Sequence, residues 1–382
     1  MALDAGLPDG QTLARARQSP RYEYIDALRG LAALAVLYLH AAGSVKAGNL
    51  VHNDLEATII KALTEVVDVG QIGVIVFFAI SGFVIPISLT KRNSSAAGFV
   101  LSRFFRLYPA YWLSIVMALY FIYYQHSYSI GFPTIALNLT MLQQFFMYPN
   151  IIGLYWTLQI ELVFYAICLL MFLLGMLQRD DRLFLVAIGF LMLAVVFALI
   201  RFETHQKVPI ALPLALSIMF WGSLLRSGQI DHNIRARQYV NVLTVLILAA
   251  MPPISLLGYN FDAGFGETWS RYTADYTIAI GLFYLMTGRY RISGALFSWL
   301  GRISYSVYLF HPVFVSIASD YVFKRLPALS IAHLYVAIVA AMAVAFAHIS
   351  YKFVEAPFIA LGKAIVGSWQ PGFPRQRAGE IS

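Results

Sequence analysis

The apolar residues of this chain fall in blocks of roughly 20, broken by short polar segments. Ten blocks stand out, at about 25–43, 71–90, 107–124, 154–177, 183–200, 208–225, 239–258, 272–288, 303–322 and 331–350. A helix needs about 20 residues to cross a bilayer core, so each block predicts one membrane-spanning helix. The sixth block contains Pro209 and Pro213 and the seventh Pro252 and Pro253, which membrane helices accommodate as kinks. Residues 132–147 are apolar but too few to span, and predict a re-entrant or interfacial segment. No repeat of about 20–50 residues and no inverted repeat is visible, which disfavours repeat arrays and the common transporter plans.

Ten spans put both ends of the chain on one side. With both ends in the cytoplasm, 20 of the 27 Lys and Arg residues fall in inside segments and 7 outside. That is the bias that sets orientation in membranes. The expected fold is an all-α, polytopic integral membrane protein with about ten transmembrane helices and both termini cytoplasmic. Its parts are a cytoplasmic segment 1–24, a membrane domain 25–360 and a disordered cytoplasmic tail 361–382.

Composition agrees. The chain of 382 residues is 60% apolar and 12% charged, against about 25% charged in a soluble domain. So few charges cannot cover a soluble protein of this size. The net charge of +8 belongs to loops beside the spans, so membrane lipid is an expected partner and nucleic acid is not. The single cysteine, Cys168, sits in an apolar run and forms no internal disulfide. Residues 1–24 contain Pro8 and Pro20 and lack the apolar core of a cleaved signal peptide, so the first block is expected to stay in the protein.

Ionisable residues are costly inside a bilayer and are functional candidates by default. Those in or beside the blocks are Asp26, Arg29, His40, Arg103, Arg106, Glu161 and His311. Arg29 and His40 share one face of the first helix, about 16 Å apart along its axis. Glu161 lies about 10 Å below the outer end of the fourth block and His40 about 22 Å above the inner end of the first. Equal depth predicts an acid–imidazole pair able to fix the histidine tautomer. The plainer alternative is a snorkelling arginine, a capping histidine and a structural ion pair.

Arg103 and Arg106 stand three apart at an inner helix end and suit phosphate groups. The plainer alternative is positive-inside anchoring, with Tyr108, Tyr111 and Trp112 as an aromatic belt. Ser304, Tyr308 and His311 share one face, and His311 either lines a polar path or satisfies backbone freed by Pro312. Ser81 and Gly82 fit close helix packing. No phosphate-binding loop, nucleophile elbow or metal-ligand spacing is present, and no metal is expected.

Six segments in order, IDALRGLAALAVLYLH, GVIVFFAISGFVI, SRFFRLYPAYW, LYWTLQIELVFY, SYSVYLFHP and FVEAPF, resemble the signatures of membrane-bound acyltransferase family 3. Members of that family modify bacterial surface polysaccharides and some small glycosylated molecules. The resemblance covers about 25–360, with Thr157 where the family has serine and Ala27 where glycine is common. The chain is similar to members that lack an extracytoplasmic hydrolase-like domain.

The resemblance implies an inner-membrane O-acyltransferase. It would move an acyl group, acetyl by expectation, from acyl-CoA to a sugar hydroxyl of a cell-surface or exported glycan or lipid-linked saccharide. His40 and Glu161 would be catalytic, and Arg29, Arg103 and Arg106 would hold acetyl-CoA. Asp26, Ser81, Tyr108, Trp156, Tyr308 and His311 are further candidates. The rival class is a glycan or lipid transporter with a buried proton relay.

Overall fold

The computed structural model describes residues 22–90, 95–259, 268–325 and 331–368. Among these residues there is no strand. The helices are α1 Glu23–Ala47, α2 Asp54–Lys61, α3 Val69–Thr90, α4 Ala96–Ala118, α5 Phe132–Thr140, α6 Tyr155–Leu173 and α7 Asp180–Thr204. They continue as α8 Ala211–Gln229, α9 Ile234–Tyr259, α10 Trp269–Gly288, α11 Ala295–Ile317, α12 Ala332–Ser350 and α13 Ala356–Ser368. Wider turns extend α4 to Tyr124 and α11 to Phe323, and join α12 to α13 through Tyr351–Glu355.

Nine of the described helical segments are long and apolar enough to cross a membrane; of the ten predicted, α10 falls short. Its first half carries Ser270, Arg271, Thr273, Asp275 and Thr277. The charges are buried in protein, not set against lipid. Arg271 Nη2 meets Asp68 Oδ2 at 2.7 Å, and the Asp68 N–H donates to Asp275 Oδ1 at 2.9 Å. α10 starts beside Asp68 at the head of α3 and ends with Gly288 against Gln229 at the foot of α8. It therefore runs from the head of the bundle to its foot beside the nine, as a tenth helix whose polar first half is covered by protein. The described chain ends both lie at the foot: Tyr22 packs on Phe83, and Val366 packs against Gly98 at the start of α4.

Apolar side chains gain little by leaving lipid for one another, so close backbone approach decides which membrane helices pair. A Cβ on Gly82 of α3 would lie 1.7 Å from the Met219 carbonyl oxygen of α8. A Cβ on Gly301 of α11 would lie 2.2 Å from the Asp26 carbonyl oxygen of α1. Only glycine permits either crossing. Ser223 adds a hydrogen bond of 2.9 Å to the Gly82 carbonyl. The second crossing lays α1 along α11, which becomes its main neighbour and brings the two histidine-bearing helices together.

The 132–147 segment is re-entrant. α5 descends beside the middle of α4, and its last carbonyls, which have no partner within the helix, are taken by α4 side chains. Tyr111 donates to the Asn138 carbonyl at 2.6 Å, Trp112 to Leu139 at 3.0 Å and Tyr108 to Thr140 at 2.9 Å. Tyr111 is buried, Tyr108 half-buried and Trp112 exposed, so only Tyr111 leaves the outer face altogether. All three satisfy backbone that hydrocarbon would leave unpaired. The chain returns through Gln143–Phe146 and starts α6 deep in the bundle, where the Tyr155 hydroxyl meets Ser114 at 2.8 Å.

Two smaller expectations change. α13 carries the helix to Ser368, so the tail expected to be disordered from 361 is helical up to that point. Pro312 does not break α11, which continues through it to Ile317. Residues 1–21 and 369–382, the bulk of the two expected cytoplasmic segments, lie outside the described residues.

Candidate active site

The recessed start of α6 sets the depth of Glu161. The acid stands in the half of the bundle nearer its foot, in a narrow cavity of about 60 Å³ that it shares with Arg29 of α1 and Arg106 of α4. Ser81, Thr157, Ser304, Tyr305 and Tyr308 supply the other polar walls. Tyr165, one turn below Glu161, donates to its Oε1 at 2.6 Å, and Ser81 Oγ lies 3.5 Å from the same oxygen. Arg29 lies in the fields of Arg106, Glu161 and Asp26, so two guanidinium groups and one carboxylate face a single narrow space.

Arg103 is not part of that wall. Its Nη2 donates to Ser88 Oγ at 2.8 Å, and its guanidinium carbon lies 5.3 Å from the ring centroids of both Phe99 and Tyr165. It backs Tyr165, which in turn holds Glu161. Trp156 also stays out of the cavity and packs edge-on against Phe78. Ser81 and Gly82 divide their work: Gly82 makes the helix crossing and Ser81 faces the cavity.

The expected His40–Glu161 pair is not formed. Tyr308 meets Thr157 Oγ1 at 2.8 Å. Glu161 lies four residues below Thr157, and His311 three residues above Tyr308. The two levels are therefore about 10 Å apart along the axis. His40 pairs instead with His311, whose Nε2 lies 3.2 Å from His40 Nδ1. α6 starts within the bundle, not at its head, so Glu161 lies deeper than its place in the fourth block predicts.

One proton arrangement satisfies the histidine pair. His40 Nδ1 also lies 2.9 Å from the Val36 carbonyl, and His311 Nδ1 lies 3.2 Å from the Val307 carbonyl. A proton on Nδ1 of each ring serves both carbonyls and leaves His311 Nε2 to accept from His40. His40 Nε2 then keeps a free lone pair. His311 is fully buried while His40 is exposed. Tyr308 links the two regions, lining the cavity on one side and meeting the His311 ring at 6.0 Å on the other.

The polar groups thus form a column: Arg29, Arg106 and Glu161 at the bottom, Thr157 and Tyr308 in the middle, His311 and His40 at the top. Residues 22–350 match the model of acyltransferase family 3, described as an acyltransferase domain. The chain belongs to the acyltransferase 3 family.

Among curated relatives, this acyltransferase is similar to the exopolysaccharide production protein ExoZ of Rhizobium meliloti (strain 1021). The two are 25% identical over 265 residues, which make up 66% of this chain and 78% of the relative. No solved structure matches. Two polar residues of the acyltransferase had no role assigned from sequence. Tyr165 stands four residues after Glu161, a spacing that places both on one helix face. Glu355, within the last signature, is buried, bonded to Ser306, and in the field of Arg106 and Arg29. Its approach to the arginines depends on how the helices pack and is invisible in the sequence.

Proposed function

We propose that this acyltransferase transfers an acyl group, acetyl by expectation, from acyl-CoA supplied on the cytoplasmic side of the inner membrane to a sugar hydroxyl of a cell-surface or exported glycan. The family supports acyl transfer, and the relative's name supports a polysaccharide setting. The observation that carries the proposal is the column itself, which joins paired arginines at the foot of the bundle to an imidazole nearer its head.

In this scheme Arg29 and Arg106 hold the phosphates of the donor, since two fixed guanidinium forks in a low-dielectric cavity bind phosphate strongly. Glu161, held by Tyr165, offsets one of those charges and lets the neutral part of the donor pass. The thioester end reaches the layer formed by Phe77, Thr157 and Tyr308. His40 Nε2 accepts the proton of the acceptor hydroxyl as its oxygen attacks the thioester carbon. The C–S bond then breaks, and the thiolate leaves with CoA and is protonated. Base catalysis of this kind contributes about 10²–10⁴-fold.

The test is CoA release by the purified full-length protein given acetyl-CoA and a glycan acceptor. His40→Ala is expected to abolish release while donor binding persists. Arg106→Ala is expected to raise the donor KM about tenfold or more, the effect of one lost charge-assisted contact. Turnover by His40→Ala removes the imidazole from the mechanism, and an unchanged donor KM removes the phosphate role of Arg106. Mass spectrometry of surface glycans with and without the protein identifies the acceptor.

A further inference from the structure

A second cavity, of about 490 Å³, opens at the foot of the bundle between the end of α8, the start of α9 and the end of α10. It is larger than the space around Glu161 and shares no residue with it. Its lining is graded along the membrane normal. Leu225, Val240 and Leu285, with the single polar side chain of Asn241, form the deeper wall, while Arg237, Arg289 and Arg291 ring the end nearest the membrane surface. Leu285 and Tyr284 are 50% and 39% exposed, so the cavity opens sideways between α9 and α10 toward lipid.

All three arginines are exposed; Arg289 lies 5.9 Å over the Tyr290 ring, Arg237 Nη2 lies 3.3 Å from His232 Nδ1, and two of the three are held at Nε. Arg237 Nε donates to the Gly228 carbonyl at 2.7 Å, and Arg291 Nε donates to the Thr287 carbonyl at 3.0 Å. Arg291 also lies 4.9 Å over the Tyr24 ring. None of the three makes an ion pair among the described residues. The neighbouring carboxylate, Asp180, is engaged by Ser227 at 3.1 Å and Asn233 at 2.7 Å. In the same cavity Gln229 Oε1 is buried with no hydrogen-bond partner.

Ordinary positive-inside anchoring asks only that basic residues stand in the loops. It does not ask for three guanidinium groups around one concave space with a mostly apolar wall on its membrane side. A guanidinium held at Nε presents its remaining N–H groups in a fixed direction, which suits phosphate oxygens. The unpartnered Gln229 acceptor suits a hydroxyl or amine beside that phosphate. The volume lies in the range of small-molecule sites.

We infer that this cavity binds the phosphodiester headgroup of an anionic phospholipid from the cytoplasmic-facing leaflet. The acyl chains leave between α9 and α10 along Tyr284 and Leu285. The site is separate from the transfer column and does not depend on its chemistry.

The experiment measures lipid retained by the purified full-length protein, by native mass spectrometry after exchange into phosphatidylglycerol or phosphatidylcholine bilayers. Retention of phosphatidylglycerol over phosphatidylcholine is expected. The triple variant Arg237→Gln, Arg289→Gln, Arg291→Gln is expected to weaken it about 100-fold, as the loss of three basic contacts near a membrane surface implies. Arg235→Gln, on the same turn but outside the cavity, is expected to leave it unchanged. Leu285→Trp keeps every charge and fills the cavity mouth, and is also expected to abolish retention, which guards against misfolding of the triple variant. Equal retention of the two lipids, or retention unaffected by Leu285→Trp, overturns the assignment. Displacement of the lipid by inorganic phosphate or free CoA at equal concentration shows that the site takes a soluble phosphate instead, and overturns the lipid reading.

Discussion

His40 Nδ1 lies 2.9 Å from the Val36 carbonyl and 3.2 Å from His311 Nε2, so a proton on that nitrogen is shared between the two. Under the proposed mechanism His311 would do for this imidazole what a carboxylate does in a hydrolytic triad: fix the tautomer and offer a partner when the ring takes a proton. Unlike a carboxylate it carries no charge, so it stabilises the imidazolium less. His311→Gln is expected to lower kcat and shift the acid limb of the kcat pH profile, with the donor KM unchanged. A merely structural histidine would lower activity at all pH values alike, and that outcome removes the positioning role. A second acid matters outside the spans. Glu56 of α2 is buried, which opposes ionisation. The backbone N–H groups of His333 and Ala332, with the His333 ring, nevertheless hold its carboxyl below the ordinary value. A lowered folded pKa gives stability that is present above the ordinary carboxylate range and lost as pH falls through the lowered value. Thermal unfolding followed downward from neutral pH is expected to show that loss in the native protein and less of it in Glu56→Gln, which should already be less stable at pH 7.

At the scale of elements, α5 decides the site although it lines no part of it. Its descent beside α4 and the return through Gln143–Phe146 lower the start of α6, and Glu161 goes down with it. α5 can lie at that depth because Tyr108, Tyr111 and Trp112 take its terminal carbonyls. In sequence the same aromatic cluster is indistinguishable from an interfacial belt, since both put tyrosine and tryptophan near a helix end. The α3–α8 crossing is legible as a glycine in an apolar helix, but its partner is not. Gly82→Val is expected to destabilise the purified protein by about 1–3 kcal/mol or more, because the new side chain meets the α8 backbone and no flexible group can yield. Thermal unfolding in detergent checks this, and an unchanged midpoint would mean that the two helices are not in tight contact.

For the molecule as a whole, the alternation of helix ends is a topological claim open to labelling. Cys168 is fully buried and serves as an inert background. Asn49→Cys, after α1, is expected to react with a membrane-impermeant maleimide in intact cells. Arg235→Cys, at the start of α9, is expected to react only once the membrane is opened. The reverse pattern would invert the molecule and place the arginine cavity on the wrong side for a cytoplasmic donor.

The all-α membrane fold, the order of its long helices and the polar residues worth examining follow from the sequence, because a bilayer core imposes a length and an apolar composition on whatever crosses it. α10 shows how far that goes: block length finds the helix, although Arg271 and Asp275, buried against protein, lower its hydropathy below that of the nine apolar spans. Which polar residues meet was decided by tertiary structure alone. Depth along one helix is a matter of counting residues, but the relative heights of two helices depend on where each begins, and α6 begins inside the bundle. For that reason Glu161 joined the arginines and left His40 to His311.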